Sequence, residues 1–144
     1  MQKLDLSIII PAFNEVQSIP QLYSLITDKL SKKPLSYEVI FIDDGSNDDT
    51  WKEMQKITIS DKKVKAIKFS KNYGKSDALD AGFKESEGDY ILTMDADLQD
   101  DPSEIYELFQ LIKNEKFDLV SGWKKKRNDP ITKEAAIKKL NFCY

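Results

Sequence analysis

Apolar side chains recur along this chain in two alternating rhythms. Residues 4–10 make a nearly continuous apolar, β-branched run, as expected of a strand buried on both faces, and Pro11 stops it. Ile19, Leu22, Tyr23, Ile26 and Leu30 then repeat at three- and four-residue intervals, which predicts an amphipathic helix with Ser18 as its N-cap. The pair of rhythms returns as a second strand over 39–42 and a helix over 49–59, then a third strand over 65–69. A helix rich in small residues follows over 74–87, closed by Gly88, and a fourth strand over 90–94. Asp101-Pro102-Ser103-Glu104 combines an N-cap, a first-turn proline and an acid three residues after the cap. It opens a helix with Ile105, Leu108, Phe109 and Ile112 on one face. A fifth strand over 117–121, a basic loop and a last helix over 132–142 complete the reading.

Strictly alternating strands and helices predict an α/β fold, a mostly parallel sheet with helices on both faces. Ligands of such sheets bind at the carboxyl ends of the strands. The polar motifs of this chain all fall there.

Composition narrows the chemistry. The 144 residues suit one domain, 40% hydrophobic and 33% charged. With 25 acidic against 22 basic side chains the net charge is −3, so no global field favours nucleic acid. The chain has no histidine, which removes His-based acid–base catalysis, a Ser-His-Asp triad and His-ligated zinc. Cys143 is the sole cysteine and forms no internal disulfide, in keeping with a reducing compartment. No apolar run approaches the ~20 residues that cross a bilayer, and residues 6–10, preceded by Asp5, are too short for a signal core. A soluble, cytoplasmic chain is expected.

Three acidic motifs follow strands. Asp95-Ala96-Asp97-Leu98-Gln99 leaves the fourth strand; in an extended segment alternate residues point one way, so Asp95, Asp97 and Gln99 can offer oxygens to one divalent cation. A solvated acidic turn into the next helix explains the same residues. Asp43-Asp44-Gly45-Ser46-Asn47-Asp48-Asp49-Thr50 reads from Gly45 onward as turn and N-cap chemistry. Asp43 and Asp44, adjacent at the mouth of an apolar strand, either belong to that turn or accept hydrogen bonds from a nucleotide. Pro11-Ala12-Phe13-Asn14-Glu15 is either a capped helix start or a pocket wall from which Glu15 reaches a polar group.

Two basic features complete the set. Lys71-Asn72-Tyr73-Gly74-Lys75 opens the third helix, and Lys75 is either a solvated residue or a diphosphate contact. No P-loop spacing and no Gly-x-Gly-x-x-Gly is present. Residues 124–127, ending in Arg127, are a solvated basic loop or a contact for anionic phosphate.

In this order and spacing the motifs resemble family 2 glycosyltransferases. Those carrying the likeness are residues 8–15, residues 42–50, Asn72-Tyr73-Gly74-Lys75 and residues 94–102. The likeness is strongest to the branch of dolichyl-phosphate mannose synthases and bacterial polyprenyl-phosphate sugar transferases. It implies the GT-A fold, Rossmann-like, and a nucleoside diphosphate sugar as donor. Pro11, Phe13, Glu15, Asp43 and Asp44 would line the nucleoside pocket, with Ala96 among the donor-binding residues. Asp95, Asp97 and Gln99 would hold Mg²⁺ or Mn²⁺ against the diphosphate. The reaction would invert the anomeric carbon. The acceptor would be a polyprenyl phosphate, met by basic residues near Arg127, or a glycan, and the full-length protein would work at the cytoplasmic face of a membrane. The family's acceptor half follows the point where residue 144 stands, so residues 1–144 are expected to be the N-terminal, nucleotide-sugar-binding part of a truncated domain. The rival readings are a nucleotide-binding domain that transfers nothing, and a nucleotidyltransferase. The latter class opens with a Gly-rich basic loop, where this chain has residues 11–15.

Overall fold

The computed structural model describes residues 3–122 and one further strand, Ala136–Lys139. Four parallel strands, β1 (Leu6–Ala12), β2 (Tyr37–Asp43), β3 (Val64–Lys68) and β4 (Tyr90–Thr93), are joined through α1 (Ser18–Leu30), α2 (Thr50–Ser60) and α3 (Lys75–Glu85). A 3-10 turn (Pro102–Glu104) then leads into α4 (Ile105–Glu115), β5 (Leu119–Ser121) and β6 (Ala136–Lys139). The six strands form one sheet in the order β3-β2-β1-β4-β6-β5, with β6 antiparallel to both of its neighbours.

Every residue of β1 and β2 is buried, which is why their sequence is apolar almost without alternation. On one face Leu6, Ile8, Ile10, Val39 and Phe41 pack with Ile19, Leu22 and Ile26 of α1, Met54 of α2, and Phe109 and Ile112 of α4. On the other, Ile9, Ile40, Ile42 and Ile91 meet Ala78 of α3. The helices thus lie on both faces as the alternation predicts. Each fully buried isoleucine contributes about 1.5–3 kcal/mol of transfer free energy. At the amino ends of the strands a polar seam is satisfied internally. Ser7 donates to Glu38 Oε1 (2.7 Å), the Glu87 N–H donates to the same oxygen (2.8 Å), and Lys65 pairs with both Glu38 and Glu87.

Several local expectations change. Pro11 does not stop β1, which runs through to Ala12 and pairs there with Asp43. Ile9 gives its carbonyl to Met94 of the β4 side, and Ala12 gives its own to Asp44 of the β2 side. By this alternation Pro11 faces β4, where pairing has already ended, so its missing N–H costs no ladder bond. Ser18 is not a cap. It is the first residue of α1, and its hydroxyl turns back to Glu15 Oε2 (2.5 Å).

Gly88 does not close α3, which ends at Glu85. A Cβ on Gly88 would stand 2.6 Å from the Ser7 nitrogen, so glycine is required there for backbone approach to β1. Asp101 does cap, accepting the Ser103 N–H at 2.9 Å, but it caps the 3-10 turn ahead of α4. The helix expected over 132–142 is overturned within that span, because Ala136–Lys139 is a strand pairing with β4 and β5. Pairing on both sides with β4 and β5 overrides the helix propensity of a stretch rich in Ala and Lys, a preference worth only tenths of a kcal/mol per residue, up to ~0.7. The rest of that span lies outside the described residues. Among the described residues no helix is long and apolar enough to cross a membrane.

Candidate functional site

From β1 the chain continues to β2 on one side, while β4 returns on the other. The carboxyl ends of β1 and β4 therefore part and leave a crevice, the place where open α/β sheets take ligands. A cleft of about 240 Å³ lies there, lined by Pro11, Ala12, Phe13, Glu15, Asp44, Lys75, Asp95, Ala96 and Asp97. Eight of these nine are residues that the sequence singles out. Ala12 is the addition, and its only signal was its place between Pro11 and Phe13.

The first wall is held by a neighbouring loop. Asn14 adopts a left-handed backbone (φ 55°), its N–H donates to Ser46 Oγ (2.9 Å), and its Oδ1 accepts the Asn47 N–H (2.8 Å). The Glu15 N–H donates to Thr50 Oγ1 (2.9 Å), and that threonine is fully buried. Ser46, Asn47 and Thr50, which read in the sequence as turn chemistry, also stitch the β2–α2 loop to the β1–α1 loop. Phe13 remains 40% exposed beside Pro11, an aromatic surface at the mouth of the cleft.

Asp43 and Asp44 part company. Asp43 is fully buried and does not line the cleft; its Oδ1 accepts the Ser46 N–H at 2.9 Å, and its Oδ2 has no hydrogen-bond partner among the described residues. Asp44 reaches across to the β3–α3 loop, where its two oxygens accept the N–H groups of Tyr73 (2.8 Å) and Gly74 (3.0 Å). Gly45 lies flat on the same loop. A Cβ there would come within 2.2 Å of the Lys71 carbonyl carbon, and its φ of 72° already excludes most side chains.

Beyond β4 the extended geometry assumed for Asp95, Asp97 and Gln99 does not hold. Leu98 has φ 62°, which reverses the chain between Asp97 and Gln99. The Gln99 N–H turns in to Asp97 Oδ1 (3.2 Å), while Gln99 is exposed and does not line the cleft. Asp95 is ion-paired with Lys75, and its own N–H is capped by Asp100 Oδ2 (3.0 Å). Asp100, buried to 7% exposure, is a loop-fastening residue the sequence reading passed over; an acid beside the true cap, Asp101, was the available signal. Arg127 lies outside the described residues.

Four carboxylates (Glu15, Asp44, Asp95 and Asp97) face one ammonium (Lys75) in this cleft. Asp44 accepts from two amides, Glu15 accepts from Ser18, and Asp95 pairs with Lys75, so four carboxylates still outnumber the single ammonium and leave the cleft acidic. An anionic diphosphate entering here meets repulsion unless a cation offsets it. Among the described residues no three His, Cys, Asp or Glu side chains gather as a metal site. Two carboxylates on one cleft nevertheless suit Mg²⁺ or Mn²⁺, which are commonly held by one or two carboxylates plus the phosphates of a substrate. The donor set fits such an ion.

The profile described as glycosyl transferase family 2 matches residues 7–141. Undecaprenyl-phosphate 4-deoxy-4-formamido-L-arabinose transferase of Proteus mirabilis is 37% identical over 136 residues, which span 94% of this chain and 41% of that protein. Dodecaprenyl-phosphate galacturonate synthase of Rhizobium johnstonii is 34% identical over 130 residues, spanning 90% and 38%. A mannosyltransferase from Pyrobaculum calidifontis, solved in complex with GDP-Man and Mn²⁺, superposes with a TM-score of 0.79 at 19% identity, over 96% of this chain and 45% of that one. The chain therefore spans about two fifths of the length of the curated relatives it matches.

Proposed function

This chain belongs to glycosyl transferase family 2, has its GT-A fold, and on that premise we propose that it forms the donor-binding part of an inverting transferase that moves a sugar from a nucleoside diphosphate to a polyprenyl phosphate. The observation that carries the proposal is the cleft between β1 and β4, where an apolar and aromatic wall stands opposite two carboxylates and a lysine. The polyprenyl-phosphate names of the relatives support the acceptor class, and the Mn²⁺ and GDP-Man of the structural neighbour support the cofactor and donor classes.

Each wall has a task in this reading. Pro11 and Phe13 offer a flat apolar surface to the nucleoside, and Glu15 accepts from a ribose hydroxyl. Asp44 serves the nucleoside pocket through the loop it holds. Lys75, at the first position of α3, meets the diphosphate together with that helix's amino end. Asp95 and Asp97 would hold Mg²⁺ or Mn²⁺ there. The bound ion supplies neutralisation of charge on the departing diphosphate. In the displacement the acceptor oxygen bonds to the anomeric carbon as the bond from that carbon to the diphosphate oxygen breaks, on the opposite face. A phosphate acceptor is already anionic, so the step needs no general base from this segment. Arg127 is the candidate partner for that phosphate, and the whole protein would act at the cytoplasmic face of a membrane.

Calorimetric titration with UDP and with GDP, with and without Mn²⁺, tests the donor site. One of the two nucleotides should bind at least about tenfold more tightly with Mn²⁺, equivalent to ~1.4 kcal/mol. An Asp95→Asn/Asp97→Asn variant should lose that gain. Equal metal-assisted binding by the variant would overturn the assignment. Binding without any transfer to a polyprenyl phosphate would instead favour a donor-binding module that depends on further chain for chemistry, a reading the two-fifths coverage of the relatives keeps in view.

A further inference from the structure

Two fixed points and one movable charge meet at the cleft. The β3–α3 loop is fixed by Asp44, through the Tyr73 and Gly74 amides, and by the flat contact of Gly45 with Lys71 and Asn72. Lys75 follows Gly74 directly and begins α3, so its backbone inherits that placement. Its side chain is 57% exposed and crosses the cleft to Asp95, whose side chain is only 16% exposed. Asp95 is fixed in turn by β4 behind it and by Asp100 on its amide. The flexible part of this arrangement is the lysine stem.

We propose that Lys75 is an exchangeable counter-ion which couples metal binding to donor binding. In the donor-free protein its ammonium neutralises Asp95. A divalent cation arriving alone must displace it, which weakens binding of the cation. A displaced ammonium cannot travel far, because the helix start that carries it is held. Within the cleft Asp44 is already engaged by two amides and Glu15 by the Ser18 hydroxyl, while Asp97 is the acid that the cation itself would take. A diphosphate supplies the missing partner. It gives Lys75 an anion to move to and the cation extra oxygens, so each ligand strengthens the other. No bond is made or broken in the exchange; only ion pairs change. The proposal rests on Asp95 and Asp97 being the cation's ligands, and it adds an order of events and a residue responsible for it.

Mn²⁺ binding to the 144-residue chain, read from the electron paramagnetic resonance of free Mn²⁺, tests it without any activity measurement. Lys75→Met, at an exposed position, should bind Mn²⁺ alone roughly two- to fivefold more tightly than the unaltered chain. The gain in Mn²⁺ affinity on adding UDP or GDP should shrink by a similar factor. Lys75→Arg, which keeps the charge, should behave as the unaltered chain does. If Lys75→Met binds Mn²⁺ alone no more tightly, while Asp97→Asn binds it more weakly, the exchange is wrong and the metal site stands. If Asp97→Asn leaves Mn²⁺ binding unchanged, the site assignment fails and the exchange fails with it.

Discussion

Asp44 and Gly45 act on a segment nearly thirty residues away, and their side chains, or the lack of one, hold the β3–α3 loop that carries Lys75 to the cleft. Asp44→Ala removes both acceptors from the Tyr73 and Gly74 amides, a loss of about 1–3 kcal/mol for charge-assisted bonds at a nearly buried site. Hydrogen exchange at those two amides should accelerate, and the urea midpoint should fall. Asp44→Asn should be milder, since it retains one acceptor. At this scale the sequence singled out eight of the nine residues that line the cleft, but not what each of them touches. Adjacent carboxylates at a strand end look equivalent in a string of letters. Asp43 is buried against Ser46 while Asp44 crosses to another loop, and only the arrival of residues 71–74 distinguishes them. The same applies to Gln99, whose alternation with Asp97 failed because one left-handed residue, Leu98, intervened.

At the level of elements, α3 shows how close packing overrides intrinsic preference. Its small residues read only as composition in the sequence, and the structure supplies their reason. A Cβ at Gly82 would stand 2.4 Å from Ile9 Cγ2 and 3.1 Å from Ile42 Cδ1, against the floor of the sheet. Alanine favours a helix over glycine by about 1 kcal/mol, yet overpacking against a β-branched floor costs about 1–3 kcal/mol. Gly82→Ala should therefore lower the denaturation midpoint, and a higher one would refute this account of α3. Existence and type of the first nine elements were legible, because long apolar runs and three- or four-residue repeats leave few alternatives. Their ends were not. The predicted end of α3 at 87 ran past Glu85, because Gly88 answers to β1 and not to the helix.

Across the whole molecule, several aspartates fasten distant segments and should make stability fall in acid. Asp61 ties the end of α2 to α1. Burial would raise its pKa, but hydrogen bonds from the Tyr23 hydroxyl and the Lys63 N–H outweigh that and hold it below the ordinary carboxylate value. Asp5 behaves alike, with burial outweighed by Ser36. A depressed carboxylate stabilises fully above its unfolded pKa of ~3.9 and loses that contribution as pH falls through the lower folded value. Tyr23→Phe should therefore cost stability at neutral pH, and the difference from the unaltered chain should shrink as pH falls below about 4. Urea midpoints measured across that range check the sign; a difference that grows in acid would contradict it. The amino-acid order by itself determined the α/β class, the gathering of polar motifs at the strand ends and nearly every residue that lines the cleft, because these follow from burial periodicity and from local turn chemistry. Tertiary structure alone decided that residues 136–139 form a strand slotted between β4 and β5, that Asp44 serves a loop, and that Lys75 stands on Asp95. Those outcomes depend on which segments meet across the sheet, a matter of three-dimensional packing to which no local window of sequence has access.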